Sequence, residues 1–493
     1  MDMQEFGLFI DGRWMPSASG RTFDTTNPAT GEVLAVFQQG NRDDVKRAVN
    51  AASGAVSKWR AFPAPERGEV LLRAASIMRH RKEELGRLVT REMGKVIAEG
   101  KGDVQEAIDF LVYIAGEGRR LTGETTPSEL PRKFCMTVRQ PVGVVGLITP
   151  WNFPFAVPCW KLGPALIAGN TVVYKPASLT PFCAATLAGI LEEAGLPPGV
   201  LNMITGSAEE VGVPIVEHPD VKVVSFTGSV AAGRDVYTRA SSLLKRVGLE
   251  MGGKNPQIVL DDADLSLAVE GALFGAFGTA GQRCTATSRL ILHQAIYDEM
   301  LGRLLSRTRA LGIGDPLDPG IDVGPVCGED QEKKILNFIE IGIKEGAGLS
   351  AGGKKLTGNL YDKGFFIEPT IFEARHGMRI TKEEIFGPVL SVVKVHDYEE
   401  AVRVANDVEY GLSSSIYTND VKLAFRAIDD LEAGITYINA PTIGAEVHLP
   451  FGGVKNTGNG AREAGSTAIE EFTEIKTVFV DYSGALQKAQ IEQ

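Results

Sequence analysis

A chain of 493 residues, 44% hydrophobic and 23% charged, exceeds the roughly 250–300 residues that one hydrophobic core holds, so two or more domains are expected. Its composition excludes a disordered or fibrous protein. A formal net charge of −11 without a clustered run of Lys and Arg excludes nucleic acid as a partner, because phosphate binding needs basic side chains to neutralise it.

Residues 1–17, MDMQEFGLFIDGRWMPS, carry acid where a secretory leader carries base, and their apolar run is too short for a leader's core. Cys135, Cys159, Cys183, Cys284 and Cys327 are scattered and odd in number, which suits a reducing compartment better than a disulfide framework. Both features make a cytoplasmic location the expectation. The spacing of Cys and His suggests no metal centre, and none is expected.

Residues 41–120 have the 3.6-residue periodicity of helices and are expected to form an outer layer. Residues 121–140 and the stretch EEFTEIKTVFVDYS near the other end alternate polar and apolar positions like strands, without a helix to cover them. Pairing between subunits is one solution to such open edges; a frayed surface hairpin is the other. The most apolar stretch, PVGVVGLITPWNFPFAVP, is cut by Pro141, Pro150, Pro154 and Pro158, which rules out one membrane-spanning helix and predicts a buried strand followed by a loop. No membrane partner is expected. From there to PQIVL at about residue 260, short β-branched runs alternate with helical stretches, the pattern of parallel strands joined by crossover helices. A second αβ series follows, from SRLILHQ to ITYINA. The fold class is therefore α/β.

Several positions could carry chemistry. In VVSFTGSVAAGRDV, Gly228 and Gly233 lie around the expected N-terminus of a helix, where backbone N–H groups favour a phosphate. The G-x-x-x-x-G spacing departs from the usual dinucleotide and phosphate-loop signatures, so phosphate cradle and simple tight turn both remain readings. Lys175 closes a strand at the sheet edge where open α/β folds bind ligands. Cys284 lies in FGTAGQRCTATSRL: Gly281 permits close approach of a ligand, small neighbours leave room at sulfur, and Arg283 or a helix start could stabilise a thiolate. The other reading is a space-filling thiol, which accounts for the remaining cysteines. Glu250 precedes paired glycines, as a surface charge or as something more. Asn152, between two prolines, could donate to an oxyanion or close an Asx turn.

The ordered motifs PWNFP, KPAS, FTGS, LEMGGKNP, GQRC, EEIFGP and LPFGG resemble the NAD(P)-dependent aldehyde dehydrogenase superfamily over nearly the whole chain. That resemblance implies a Rossmann-type dinucleotide-binding domain (residues 1–120 and 141–252), an α/β catalytic domain (253–466) and a small β oligomerisation unit (121–140 and 467–493), in a homodimer or homotetramer. It implies that Cys284 attacks the aldehyde carbon to give a thiohemiacetal, whose oxyanion Asn152 and the Cys284 N–H stabilise. Hydride loss to the nicotinamide leaves a thioester, and Glu250 activates the water that hydrolyses it; a carboxylate there favours water over coenzyme A as acceptor. Thr149, Pro150, Trp151, Lys175, Ser178, Gly228, Ser229, Gly233, Glu384 and Phe386 are the implied cofactor contacts. Ser178 in KPAS stands where NAD-preferring relatives often place an acid, so use of both NAD and NADP is expected. For the aldehyde, Arg283, Trp160 and Phe451 are the implied contacts. Arg283 could hold a remote carboxylate or form a structural salt bridge. The GQRC context is similar to relatives acting on 2-oxoglutaric or aminoadipic semialdehyde; a broad-specificity enzyme or a succinic semialdehyde enzyme is the alternative.

Overall fold

The computed structural model describes residues 4–491; the outermost residues of the first and last segments assigned above, 1–3 and 492–493, lie outside them. Two seven-stranded sheets dominate. The first runs Arg246–Glu250, Val221–Thr227, Val144–Ile148, Thr171–Lys175, Leu201–Met203, Leu8–Ile10, Arg13–Met15. Its first five strands are parallel and its last two antiparallel. Chain order moves outward from Val144–Ile148 on one side, then returns to build Val221–Thr227 on the other. The resulting switch point, outside the carboxyl ends of these two central strands, is where open α/β sheets bind ligands. The strands Val144–Ile148 and Thr171–Lys175 are buried on both faces, which explains their unbroken apolar runs.

The second sheet runs Gly348–Ala351, Thr370–Glu373, Val389–Val395, Thr287–His293, Asn255–Val259, Ser413–Tyr417, Ile435–Ile438, parallel except for its first strand. The strand Asn255–Val259, which the alternation pattern groups with the first series, pairs with Thr287–His293 and Ser413–Tyr417 instead. Periodicity cannot tell which sheet a buried strand joins.

Helices Arg42–Ala61, Ala64–His80, Lys82–Met93 and Ile97–Glu117 pack over the first sheet. The first begins with a capping box in which the Asn41 side chain accepts from the Asp43 and Asp44 N–H groups and Asp44 reaches back to the Asn41 N–H. Trp59 anchors this layer: its ring is buried and its Nε1 donates to the Leu166 carbonyl at 3.1 Å. Ahead of these helices lie five short strands between Glu5 and Gln38 that the periodicity does not reveal, because each is too brief for an alternation signal. The two strand-like segments pair with each other. Thr473–Asp481 lies antiparallel to Lys133–Pro141, in register from Thr473 opposite Pro141 to Asp481 opposite Lys133, and Thr125–Pro127 adds the third strand. Among the described residues no helix is long and apolar enough to cross a membrane.

Candidate active site

A cavity of about 250 Å³ opens where the carboxyl edge of the first sheet meets the amino edge of the second. From the first sheet come the Pro150–Trp151–Asn152 loop after Val144–Ile148, the Gly228–Ser229 turn after Val221–Thr227, and Glu250 at the end of its strand. From the second comes the loop holding Arg283 and Cys284, which leads into Thr287–His293.

The thiol loop is held in an unusual backbone. Thr279, Ala280 and Gly281 are successively left-handed, at φ 54°, 51° and 69°, a conformation that costs on the order of 1 kcal/mol or more at each non-glycine residue. A Cβ on Gly281 would collide with the Gly387 carbonyl. Buried amides overcome this strain. Asn255 Nδ2 donates to the carbonyls of Cys284 at 2.8 Å and Ala286 at 2.9 Å, and its Oδ1 accepts from the Ser413 N–H. Gln282 is sealed inside, its Nε2 on the Thr279 carbonyl and its Oε1 on the Cys327 N–H. Glu99 takes the Thr279 N–H at 2.9 Å.

Cys284 is only half-buried and lines the cavity, whereas Cys135, Cys159, Cys183 and Cys327 are buried. Burial, followed by the charges of Glu384, Glu250 and Glu463, pushes its thiol up to about 12. Neither a helix start nor Arg283, the two sources of thiolate stabilisation the sequence suggests, acts on this sulfur. The residue follows a tight left-handed turn, and the charges acting on it are negative. Arg283 points elsewhere: its Nη2 meets Glu99 at 2.9 Å and its Nε the Thr279 hydroxyl at 2.9 Å. The salt bridge foreseen as the alternative is therefore present, yet Arg283 still lines the cavity.

Glu250 is 2% exposed, and neither carboxylate oxygen has a hydrogen-bond partner. Burial and then the charge of Glu463 raise its pKa well above the ordinary carboxylate value. Behind it Glu463 pairs with Lys161 and accepts from the Thr227 hydroxyl at 3.1 Å, while Lys161 also donates to Ser225 at 2.8 Å. A lysine inside the apolar helix Ala156–Ala168 was the available signal for such a buried pair. Asn152 is buried, and its Nδ2 donates to the Gln282 carbonyl at 3.0 Å; the second N–H of that amide has no partner among the described residues.

On the side away from the thiol, the geometry fits a dinucleotide. The turn at Gly228 passes so close to Phe226 that a Cβ would stand 2.6 Å from the ring, and Ser229 caps the helix Val230–Ser241 by accepting from the Ala232 N–H. Glu384, Phe386, Pro150 and Trp151 line this side; Phe386 meets Trp151 edge-on at 5.5 Å. Lys175 is buried with one hydrogen bond, to its neighbour's carbonyl, and burial lowers its pKa to about 8, leaving a cation that a ribose hydroxyl or phosphate would satisfy.

The sequence profile of the aldehyde dehydrogenase family matches residues 14–478. The chain belongs to the aldehyde dehydrogenase family. It is 45% identical over 474 residues to the alpha-ketoglutaric semialdehyde dehydrogenase of Bacillus subtilis (96% of this chain, 97% of that protein). It is 43% identical over 472 residues to the 2,5-dioxopentanoate dehydrogenase of Saccharolobus solfataricus (95% and 98%). Its fold superposes with TM-score 0.95 on betaine aldehyde dehydrogenase of Staphylococcus aureus in complex with NAD+, at 34% identity, covering 97% of this chain and 95% of that one. This aldehyde dehydrogenase is thus an NAD(P)-dependent oxidoreductase with an α/β fold of the family's type.

Not every residue implied by the resemblance faces the cavity. The Thr149 hydroxyl is buried against the Tyr174 phenol at 3.1 Å, leaving only its main chain near the site. Gly233 lies under the turn, where a side chain would strike Met251. Lys175 and Ser178 stand beyond the cavity at the next strand end, Ser178 donating to the Gly206 carbonyl at 3.1 Å. Trp160 and Phe451 line the cavity with ring centroids 5.0 Å apart. Asn255, Gln282, Glu463 and Lys161 escaped sequence reasoning because their partners are remote in the chain.

Proposed function

We propose that this aldehyde dehydrogenase oxidises the semialdehyde of a dicarboxylic acid, with 2-oxoglutaric semialdehyde (2,5-dioxopentanoate) as its preferred substrate. The single observation that carries the chemistry is the meeting of Cys284 and Glu250, from different sheets, in one cavity with the free N–H of Asn152. Cys284 bonds to the aldehyde carbon through its thiolate, the thiol proton passing to Glu250 and from there to water. Asn152 and the Cys284 N–H donate to the oxygen that becomes negative in that step. A bound nicotinamide dinucleotide supplies a hydride acceptor. Glu250, raised in basicity by burial, takes a proton from the water that attacks the acyl sulfur adduct, and the acid leaves. Pro150, Trp151, Gly228, Ser229, Glu384 and Phe386 would hold the nicotinamide half, and Lys175 and Ser178 the adenosine half. With a serine and no acid at 178, a 2'-phosphate meets no repulsion there, which supports use of both NAD and NADP.

The acidic substrate rests on Arg283. Two of its nitrogens are held by Glu99 and Thr279, while Nη1 has no partner among the described residues and the side chain borders the cavity. A guanidinium fixed in this way is preorganised to accept a carboxylate. The names of the relatives from Bacillus subtilis and Saccharolobus solfataricus support the same substrate. The test is kcat/KM, read as absorbance at 340 nm, across 2,5-dioxopentanoate, succinic semialdehyde and neutral aldehydes. Arg283→Leu should raise KM for the acids about tenfold or more, the loss of one charge-assisted pair, and spare neutral aldehydes. Equal effects on both would remove the reading.

The strand Thr473–Asp481 is paired along one edge, and Ile475 and Phe479 on it are 66% and 63% exposed. These features support a homo-oligomer, dimer or tetramer, in which a second copy covers this sheet. The unpaired cysteines support a reducing, cytoplasmic location.

A further inference from the structure

The helix Ile97–Glu117 carries three carboxylates at i, i+4 and i+7 spacing: Glu99, Asp103 and Glu106. This spacing puts them on one face, against the substrate end of the cavity. The first two are satisfied by protein. Glu99 holds Arg283 and the Thr279 N–H. Asp103 pairs with buried Lys95 at 3.4 Å and accepts from the Ala156 N–H at 2.8 Å. Lys95 in turn stands 3.6 Å from the centre of the Phe153 ring, so this pair props the loop beside Asn152. Glu106 differs: it lines the cavity and has no hydrogen-bond or ion-pair partner among the described residues.

A second polar group on the same wall is also unsatisfied. Trp160 is 5% exposed and lines the cavity, and its Nε1 has no partner. Phe110, one turn beyond Glu106 on the helix, lies 6.4 Å from the Trp160 ring, and Glu106 and Trp160 both line the cavity. With the free Nη1 of Arg283, the substrate end presents two N–H donors and one carboxyl. A buried donor left without a partner costs about 1–3 kcal/mol, so this set calls for a ligand that accepts.

We propose that Glu106 is a specificity-determining residue that acts as a neutral carboxyl: its O–H donates to the remote carboxylate or 2-oxo oxygen of the aldehyde, beside the N–H donors of Arg283 and Trp160. This rests on the acidic-aldehyde reading above and adds to it the residue that distinguishes a 2-oxo acid from a neutral chain. Ionised, the same carboxyl would repel a carboxylate and attract an ammonium, so its protonation decides which class of aldehyde the cavity accepts. Burial, and then the charge of Asp103, push it up to about 8; Asp109 on the same helix acts in that direction, and Lys95 and Arg283 oppose it. Tyr437, on the strand Ile435–Ile438, also faces it.

The experiment is the ratio of kcat/KM for 2,5-dioxopentanoate to that for pentanal, measured against pH on the intact enzyme. Ionisations of Cys284 and Glu250 act on both aldehydes and cancel in the ratio. In the wild type the ratio should fall about tenfold between about pH 7 and about pH 9, as a group near 8 loses its proton. Glu106→Gln, which keeps a donor, should hold the ratio at pH 7 within a few fold and abolish the slope. A flat wild-type profile, a slope that persists in Glu106→Gln, or a wild-type preference for betaine aldehyde over pentanal at pH 7 would overturn the assignment. A wild-type ratio near one at pH 7 sinks the acidic-aldehyde reading itself; a high ratio whose pH dependence is the same in the wild type and Glu106→Gln sinks this inference alone.

Discussion

The two seven-stranded sheets share an architecture, a parallel centre with antiparallel pairing at one edge, yet meet the cavity differently. The first presents the carboxyl ends of its strands: Glu250 ends one strand, and Gly228 follows another directly. Each of these groups is placed by ordinary strand geometry. The second sheet presents its amino end, through a left-handed turn that needs Asn255, Gln282 and Glu99 to hold it. The regular edge supplies binding surface and Glu250, the proposed base; the strained loop supplies Cys284, the proposed nucleophile. A thiol placed by strain and clamps is more sensitive to remote substitutions than a carboxylate placed by a strand.

Substitutions can break this comparison in descending order of effect. Cys284→Ala should reduce turnover about ten-thousand-fold or more and remove the burst of reduced cofactor, since the proposed adduct forms on its sulfur. Glu250→Gln should preserve a stoichiometric burst while steady-state turnover falls about a hundred- to a thousandfold; turnover left intact would move the base elsewhere. Asn255→Ala touches neither substrate nor cofactor, but frees the Cys284 and Ala286 carbonyls. It should lower kcat about ten- to a hundredfold through misplacement of the sulfur, with a lowered thermal midpoint, whereas an unchanged kcat would show that the clamp is dispensable.

The smallest effect concerns charge. With a folded pKa raised to about 12, Cys284 is a neutral thiol in the free enzyme at neutral pH. Its alkylation by iodoacetamide should therefore rise about tenfold per pH unit from about pH 7 upward without a plateau below about 11. Glu384→Gln removes the first of the three opposing charges and should shift that profile to lower pH. A plateau near neutrality would mean that a cation overlooked in the loop stabilises the thiolate.

Much of the fold was legible because burial on both faces leaves an unbroken apolar run, and each run from VGVVGLIT to ITYINA became a strand. The five strands between Glu5 and Gln38 were not, being two to six residues long and too brief to show an alternation; only Leu8–Ile10 among them has a remote partner, Leu201–Met203. Likewise, PQIVL reads as a strand but carries no mark of which sheet it joins. Motifs marked Cys284, Glu250, Asn152 and the Gly228 turn, because a reacting group needs a particular residue type at one position. Thr149 and Gly233 lie beside the same motifs but do not face the cavity, the Thr149 hydroxyl meeting Tyr174 and Gly233 lying against Met251, a distinction of packing that a motif does not carry.

What the sequence by itself determined was the order of the strands and helices from residue 41 onward, which follows from local periodicity, and, through the resemblance of its ordered motifs, the family and the candidate thiol, carboxylate and amide. Only the tertiary structure decided that Arg283 is bound to Glu99, that carboxylates rather than a cation surround the sulfur, and that Glu106 faces the cavity without a partner. The reason is physical: Coulombic interaction and desolvation depend on distance and burial, and these are set by packing between residues far apart in the chain.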